Sequence, residues 1–411
     1  METIPTKQKF KPWFWIVLVV FLIVIYSFWA TNISLPLVKP TMLSNSLSYE
    51  AESKLAWPGY GQSAVGIDNL GVTATNGTQT PLPIASTAKV IAALAILSKK
   101  PLSLGSQGPT ITLNQSDVDI YNNYVAEDGS VTKVVVGEQI SEYQMLQTIL
   151  LPSADNMADS LAIWAFGSLS AYSAYANQFV ASSGLANTHV GVDASGFDPS
   201  TTSTASDLVK LGELAVQNPV IAQIVDQSSA NNIPIVGTIS NVDSLIGSDN
   251  IVGIKTGNTD QAGGVFLSAS RVTINKQPVS IITAVMQAPS LWQALNSSDL
   301  LVESAQDNFS TPQSLITSSK IAGKYIAPWS KQVVYAETSQ SPSIETAGGT
   351  KVTAEVHLKS ISFNEKAGQV VGNISYNSDL PKAVDITNLV TNKSLPKPSK
   401  WWLILHPNKT L

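Results

Sequence analysis

A chain of 411 residues, 44% of them hydrophobic and 13% charged, has enough apolar material for two or three packed domains. Its net charge of -5, with no basic cluster beyond the N-terminus, argues against nucleic-acid binding. It has no cysteine, which excludes disulfides and a thiol nucleophile, and His189, His357 and His406 are too scattered to suggest a zinc site.

Lys7, Lys9 and Lys11 precede an apolar run over residues 13–30 that only Ser27 interrupts. As a helix it measures about 27 Å, close to the hydrocarbon thickness of a bilayer. The lysines place the N-terminus inside and the rest of the chain outside, and Trp13, Trp15 and Trp29 sit where interfacial aromatics belong. Phe28 and Trp29 occupy the places where a signal-peptidase site needs small residues, so an uncleaved anchor is expected. The expected organisation is a cytoplasmic tail (1–12), a membrane anchor (13–30), a polar tether (31–58), a large domain (59–310) and a C-terminal domain (318–411).

Residues 63–68 and 72–76, joined by Asn69-Leu70-Gly71, read as a strand hairpin. A helix-favouring run follows Pro83, which cannot lie inside it. Ser86 therefore falls near that helix's N-terminus, where the backbone dipole favours a developing oxyanion. Lys89 lies three residues on, on the same face. It can take the serine proton if it is neutral, a state that burial and a second cation favour. Residues 110–136 read as loop with short strands. Residues 142–151 and 155–166 read as helices with Ser153 in the turn between them, and residues 171–183 as a further helix. Ser203-Thr204-Ala205-Ser206-Asp207 reads as a capped helix start. Lys255-Thr256-Gly257 lies on a strand over 251–257, followed by a turn over 258–264. Returning strands are expected at 265–270 and 279–286, and a closing helix at 291–309. Beyond Ser310 the texture becomes β: residues 351–359 alternate strictly, with Val352, Ala354, Val356 and Leu358 on one face. Residues 370–376 and 383–389 read as similar strands. Trp401-Trp402-Leu403-Ile404-Leu405 reads as a last strand or a patch that touches a surface.

Ser86-x-x-Lys89, Ser153-Ala154-Asp155-Asn156 and Lys255-Thr256-Gly257, in that order, form the signature set of penicillin-binding proteins and serine β-lactamases. The chain resembles the low-molecular-mass penicillin-binding proteins that act as D-alanyl-D-alanine carboxypeptidases, peptidase family S11. The resemblance implies an α/β, β-lactamase/transpeptidase-like domain: an antiparallel sheet flanked by helices, plus a helical subdomain, then a small all-β domain. It further implies that Ser86 attacks a peptidoglycan stem peptide, with Lys89 as base and Ser153 relaying a proton to the leaving D-alanine. Lys255 and Thr256 would hold the terminal carboxylate, and the strand after Gly257, with the Ser86 N–H, would form the oxyanion hole. β-Lactams would inhibit by acylating Ser86, and no metal or cofactor is required. The family's asparagine aligns with Asp155, while Asn156 comes one place late. Either could face the site: Asn156 does so if the turn is shifted by one residue, and this reading favours Asn156. A β-lactamase is disfavoured because Glu213, the only glutamate between Ser153 and Lys255, lies in a helical stretch. A catalytically weak wall-binding protein is the remaining alternative.

Overall fold

The computed structural model describes residues 11–43, 46–50, 53–274, 277–310, 313–316, 320–341, 343–346, 351–363, 365–378 and 385–407. Lys7 and Lys9, and positions 383–384 of the strand expected at 383–389, lie outside them. The described chain separates into two units.

The unit built from residues 51–312 and 347–350 carries the three motifs. Its sheet has five antiparallel strands: β1 (Gln62–Ile67), β2 (Gly71–Asn76), β3 (Ile251–Thr259), β4 (Gly263–Ile274) and β5 (Gln277–Ala288), in the order β3-β4-β5-β1-β2. The expected turn at 258–264 is shorter than anticipated, because Asn258 and Thr259 still pair with Gly264 and Gly263. Adjacent residues of β4 face opposite sides, as a pleat requires. Leu267 meets the helix Ala205–Gln217, where Gly212 lets the backbone close on it, and Phe266 packs with Ala294 of the helix Leu291–Ser310. Helices therefore cover both faces.

The helical layer is organised on the helix Ala88–Lys99, which is buried from Ala88 to Leu97. Around it lie the helices Gln115–Ala126, Glu142–Leu150, Asp155–Phe166 and Leu169–Ser182. The second and third of these match expectation almost residue for residue. Ser141 and Gln144 form a capping box at the start of Glu142–Leu150, and Gly167, at φ +89°, ends Asp155–Phe166. Residues 115–126 correct the expectation of loop. Their Asp, Asn and β-branched content is poor for helix, but Asn114 and Asp117 form a second capping box that starts one.

The other unit joins residues 1–50 to most of the chain beyond 312. It begins with α1 (Pro12–Asn32), 21 residues that are long and apolar enough to cross a membrane, although length and composition alone say so. A seven-stranded antiparallel sheet follows, in the order Pro40–Met42, Ile321–Ile326, Val333–Thr338, Asp385–Thr391, Val370–Ser378, Lys351–Leu358, Ser46–Glu50. The strict alternation over 351–358 is realised: Val352, Ala354 and Val356 are buried and their neighbours exposed. The tether expected at 31–58 is corrected, because it supplies both edge strands. Pro40 pairs with Tyr325, and Tyr49 with Val352. A proline is tolerated there because an edge strand leaves one side of its backbone unpaired. The strand reading of the C-terminal segment is corrected too. Residues 400–405 form a helix, α2 (Lys400–Leu405), with the Ser399 hydroxyl capping it through the Trp402 N–H.

Candidate active site

Ser86 lies in a 3₁₀ turn, Ala85–Thr87, that runs into the buried helix Ala88–Lys99. Ala85 before it has φ +46°, a left-handed conformation that costs a non-glycine residue on the order of 1–3 kcal/mol. Two close approaches hold the turn. A Cβ on Gly257 of β3 would lie 3.0 Å from the Ser86 nitrogen, and one on Gly196 would lie 2.1 Å from the Ala85 carbonyl oxygen. Only glycine lets the strand and the 193–198 loop close on the nucleophile turn from both sides. The pattern Lys-Thr-Gly thus carries a steric requirement as well as a charge.

Lys89 is fully buried, and its Nζ meets three oxygens: Ser86 Oγ at 2.9 Å, Asp155 Oδ1 at 2.6 Å and the Ser195 carbonyl at 2.9 Å. An ionised carboxylate and a carbonyl can only accept. They take two N–H groups whatever the protonation state. The position facing Ser86 is then a third N–H in the ammonium and the lone pair in the amine. The protonation state of Lys89 decides only the direction of its bond to Ser86.

Of Asp155 and Asn156, Asp155 is the one whose side chain meets Lys89. Its Oδ1 pairs with Lys89 and its Oδ2 accepts the Ser130 N–H at 2.8 Å. Asn156 is corrected as a site-facing residue. Its amide donates to the Thr132 carbonyl at 2.9 Å and accepts the Thr132 N–H at 3.0 Å, so it anchors the neighbouring loop. Successive residues of a helix point about 100° apart, so both could not face Lys89. Ser153 occupies the turn ahead of them, at φ +66° and 6% exposed, and its hydroxyl has no partner among the described residues.

Lys255 is 1% exposed on edge strand β3, and its only hydrogen bond among the described residues is to the Thr256 carbonyl, at 3.0 Å. Burial, and then the charge of Lys89, push it down to about 7, against the opposing pull of Asp155 and Asp243. Arg271, the chain's single arginine, pairs with Asp226 at 3.0 Å. Thr256 is buried beside Lys255.

Four residues that no motif announces complete the surroundings. Tyr124 donates to Asp159 Oδ2 at 2.8 Å, and Asp159 Oδ1 accepts the Ala194 N–H at 2.8 Å. These bonds fix the loop whose Ser195 carbonyl meets Lys89. Asp159 is pushed up to about 6 by burial, with the Ala194 and Tyr124 donors opposing the rise. Asp243 follows Val242, whose N–H binds the Leu151 carbonyl at the turn that carries Ser153. Burial pushes Asp243 up to about 6, and its Oδ2 has no hydrogen-bond partner among the described residues. Asp159 could have been found from sequence, since it lies four residues after Asp155 on one helix face. A cavity of about 800 Å³, lined in part by Tyr124, Asp159, Phe197 and Thr259, opens beyond the end of β3.

Glu213 is no candidate for activating a water at this site. It lies in Ala205–Gln217, and its carboxylate accepts the Asn69 N–H at 2.6 Å, at the β1–β2 turn. His189 joins Thr202 through a backbone bridge.

The chain is similar to known proteins in sequence and in fold. A D-alanyl-D-alanine endopeptidase of Pseudomonas aeruginosa is 31% identical over 208 residues, which cover 49% of this chain and 63% of that protein. The D-alanyl-D-alanine carboxypeptidase DacB2 of Mycobacterium tuberculosis is 32% identical over 219 residues, covering 51% of this chain and 70% of that one. The chain thus spans between 63% and 70% of the length of these curated relatives. The crystal structure of the Streptomyces K15 DD-transpeptidase shares the fold, with a TM-score of 0.54 at 21% identity, over 62% of this chain and 98% of that one. Residues 62–290, which hold all three motifs, match the family description D-alanyl-D-alanine carboxypeptidase, and the chain belongs to that family, peptidase S11.

Proposed function

We propose that the protein is a serine-type D-Ala-D-Ala carboxypeptidase, acting outside the cell on peptidoglycan stem peptides while α1 holds it in the membrane. The observation that carries this reading is the Ser86–Lys89 contact of 2.9 Å at the mouth of a buried helix, with Lys255 on the adjoining edge strand. In this reading Ser86 Oγ attacks the carbonyl of the penultimate D-alanine and its proton passes to Lys89 Nζ. The Ser86 N–H and the strand backbone after Gly257 hold the oxyanion. Ser153 carries a proton to the departing D-alanine nitrogen, and water then hydrolyses the acyl-enzyme on Ser86. The substrate's terminal carboxylate takes the unfilled donors of Lys255, beside Thr256.

Asp155 has a definite part in this scheme. As an ionised carboxylate, Asp155 accepts one N–H of a neutral Lys89 while the Ser195 carbonyl accepts the other, which leaves the lone pair facing Ser86. A β-lactamase-like hydrolysis has less support, since Glu213 is engaged elsewhere.

The test is mass spectrometry of the folded protein after penicillin treatment, together with release of D-alanine from a D-Ala-D-Ala peptide. The expected result is a penicilloyl adduct on Ser86 and free D-alanine, both lost in Ser86→Ala. Folded protein without an adduct, or an adduct on Ser153, would overturn the assignment.

A further inference from the structure

We propose that a cavity between the helix Glu142–Leu150 and the hairpin of Ser229–Ile233 with Gly237–Ser240 binds an uncharged, N-acetylated sugar of the glycan strand. That the sugar belongs to peptidoglycan rests on the proposed function; that it is a neutral sugar rests on the cavity itself.

The cavity measures about 590 Å³, within the range of about 300–1,000 Å³ usual for small-molecule sites. All nine described residues that line it are uncharged and carry a polar group, and six are amides: Gln107, Gln139, Gln144, Gln147, Asn231 and Asn232. Such a lining has nothing to balance an ion. The protein fixes one end of several amides and leaves the other end over. Gln107 Oε1 accepts the Ser141 hydroxyl at 2.8 Å, Asn231 Oδ1 accepts the Thr238 hydroxyl at 2.9 Å, and Gln147 Nε2 donates to Gln227 Oε1 at 2.8 Å. These bonds hold the side chains in place before a ligand arrives, which lowers the cost of ordering them. Among the described residues the Gln107 and Asn231 nitrogens then have no acceptor, and Gln147 Oε1 has no donor. Gln147 is only 8% exposed, so its spare oxygen belongs to the cavity wall rather than to open surface.

Spare donors beside a spare acceptor suit a group that does both. A sugar hydroxyl donates and accepts, and an acetamido group carries one N–H and one C=O. The Tyr143 hydroxyl is already engaged, donating to Gln223 at 3.3 Å and accepting from Gln227 Nε2 at 3.0 Å. Its ring is left as the apolar part of the lining, against which the C–H face of a pyranose packs. Both walls lead to the turn that carries Ser153. The helix Glu142–Leu150, about 13 Å long, ends just before it. The hairpin continues into Val242, whose N–H binds the Leu151 carbonyl at that turn. A Gln144 amide bond to the Asn232 carbonyl, at 2.8 Å, ties the two walls together. A glycan held here keeps its stem peptides near the site, and this tethering raises their effective concentration.

The test uses the full-length protein and two probes. One is the β-1,4-linked N-acetylglucosamine tetramer, followed by saturation-transfer NMR. The other is a D-Ala-D-Ala stem peptide, compared free and attached to its glycan. The tetramer should bind, and the glycan-linked peptide should show a KM severalfold below that of the free peptide at the same kcat. Gln147→Leu should weaken tetramer binding about tenfold and bring the two KM values together, with the free peptide's kcat and KM unchanged. Gln139→Ala, whose side chain has no hydrogen bond to lose among the described residues, should weaken it severalfold and serves if Gln147→Leu does not fold. Equal KM values for the two peptide forms on active enzyme, or tetramer binding unchanged in both variants, overturns the inference and leaves the proposed function standing. Tetramer binding that the variants lose, with no D-alanine released from either peptide form, removes the carboxypeptidase reading and keeps the sugar site. A raised free-peptide KM in Gln147→Leu, with no tetramer bound by wild type, assigns the cavity to a peptide and also overturns the inference.

Discussion

Replacing Lys255 by methionine should make the protein more stable and less active, and the stability gain should depend on pH in a defined direction. Lys255 titrates near 10.5 when exposed and at about 7 in the fold, where it is 1% exposed. The difference, 10.5 minus 7, corresponds to roughly 5 kcal/mol of penalty on the buried charged form, taking about 1.36 kcal/mol per pH unit. Below pH 7 the lysine is charged in both states and the folded protein bears the whole penalty. Between pH 7 and 10.5 the folded lysine sheds its proton while the unfolded one keeps it, so wild-type stability rises with pH. Methionine has a similar length and no charge to bury, so the variant should gain most at pH 6–7 and its advantage should shrink toward pH 10. Asp243 loses a cation in the exchange, which makes the worked figure an upper bound. Activity should move the other way. A charge-assisted hydrogen bond in a water-poor cleft contributes about 1.5–3 kcal/mol, so kcat/KM for carboxylate-terminated peptides should fall by roughly tenfold to a hundredfold, and much less for amidated ones. Chemical denaturation across pH, paired with kinetics on the two substrates, reads both effects. A stability difference that is flat between pH 6 and 10, or an equal loss on both substrates, would refute the argument that Lys255 is a buried, ligand-seeking cation.

Three further outcomes are expected. In wild type, kcat/KM for carboxylate substrates should decline above about pH 7 as Lys255 loses its proton, and this limb should be absent in Lys255→Met. Asp155→Ala breaks a buried ion pair and should cost about 3–5 kcal/mol, read as a lowered denaturation midpoint; an unchanged midpoint would mean that the pair does not form in solution. Asp159→Asn leaves one acceptor where two donors now bind, Tyr124 and Ala194, and so loosens the loop that presents the Ser195 carbonyl to Lys89. A net loss of about 1–3 kcal/mol predicts a fall in kcat of roughly fivefold to a hundredfold with KM nearly unchanged, and a change in KM alone would contradict the positioning role.

What the sequence made legible followed from how local each feature is. Ser86 and Lys89 are one turn apart, and the helices on either side of Ser153 are bounded by a capping serine, Pro152 and Gly167, so spacing alone places them. The strand alternation over 351–358 is equally local. The segment 31–58 hides its edge strands because their partners are remote: Pro40 meets Tyr325, and edge strands need little hydrophobic pattern of their own. Residues 115–126 escape a reading by propensity because a capping box, not their composition, starts the helix. The C-terminal aromatics suggested a strand, yet Pro398-Ser399-Lys400 is the start signal of a helix. Tyr124, Ser195 and Asp243 were invisible for a different reason. Ser195 contributes a backbone carbonyl, and the other two act through tertiary contacts that no spacing encodes.

The two lysines of the site are distinguished by how completely the protein satisfies them. Lys89 has three acceptors for its three possible N–H groups, one of them a carboxylate at 2.6 Å, so it has no donor left for a ligand. The only freedom it retains is the direction of the proton between itself and Ser86. Among the described residues Lys255 has one acceptor and no ion pair, so in its charged form two donors face no oxygen of those residues. A buried cation with unfilled donors is costly, and an incoming carboxylate relieves that cost on binding. Exchanging the two lysines' surroundings would exchange their tasks. The proposed assignment of proton transfer to Lys89 and anion binding to Lys255 rests on this difference in hydrogen-bond capacity, whichever peptide the cleft receives.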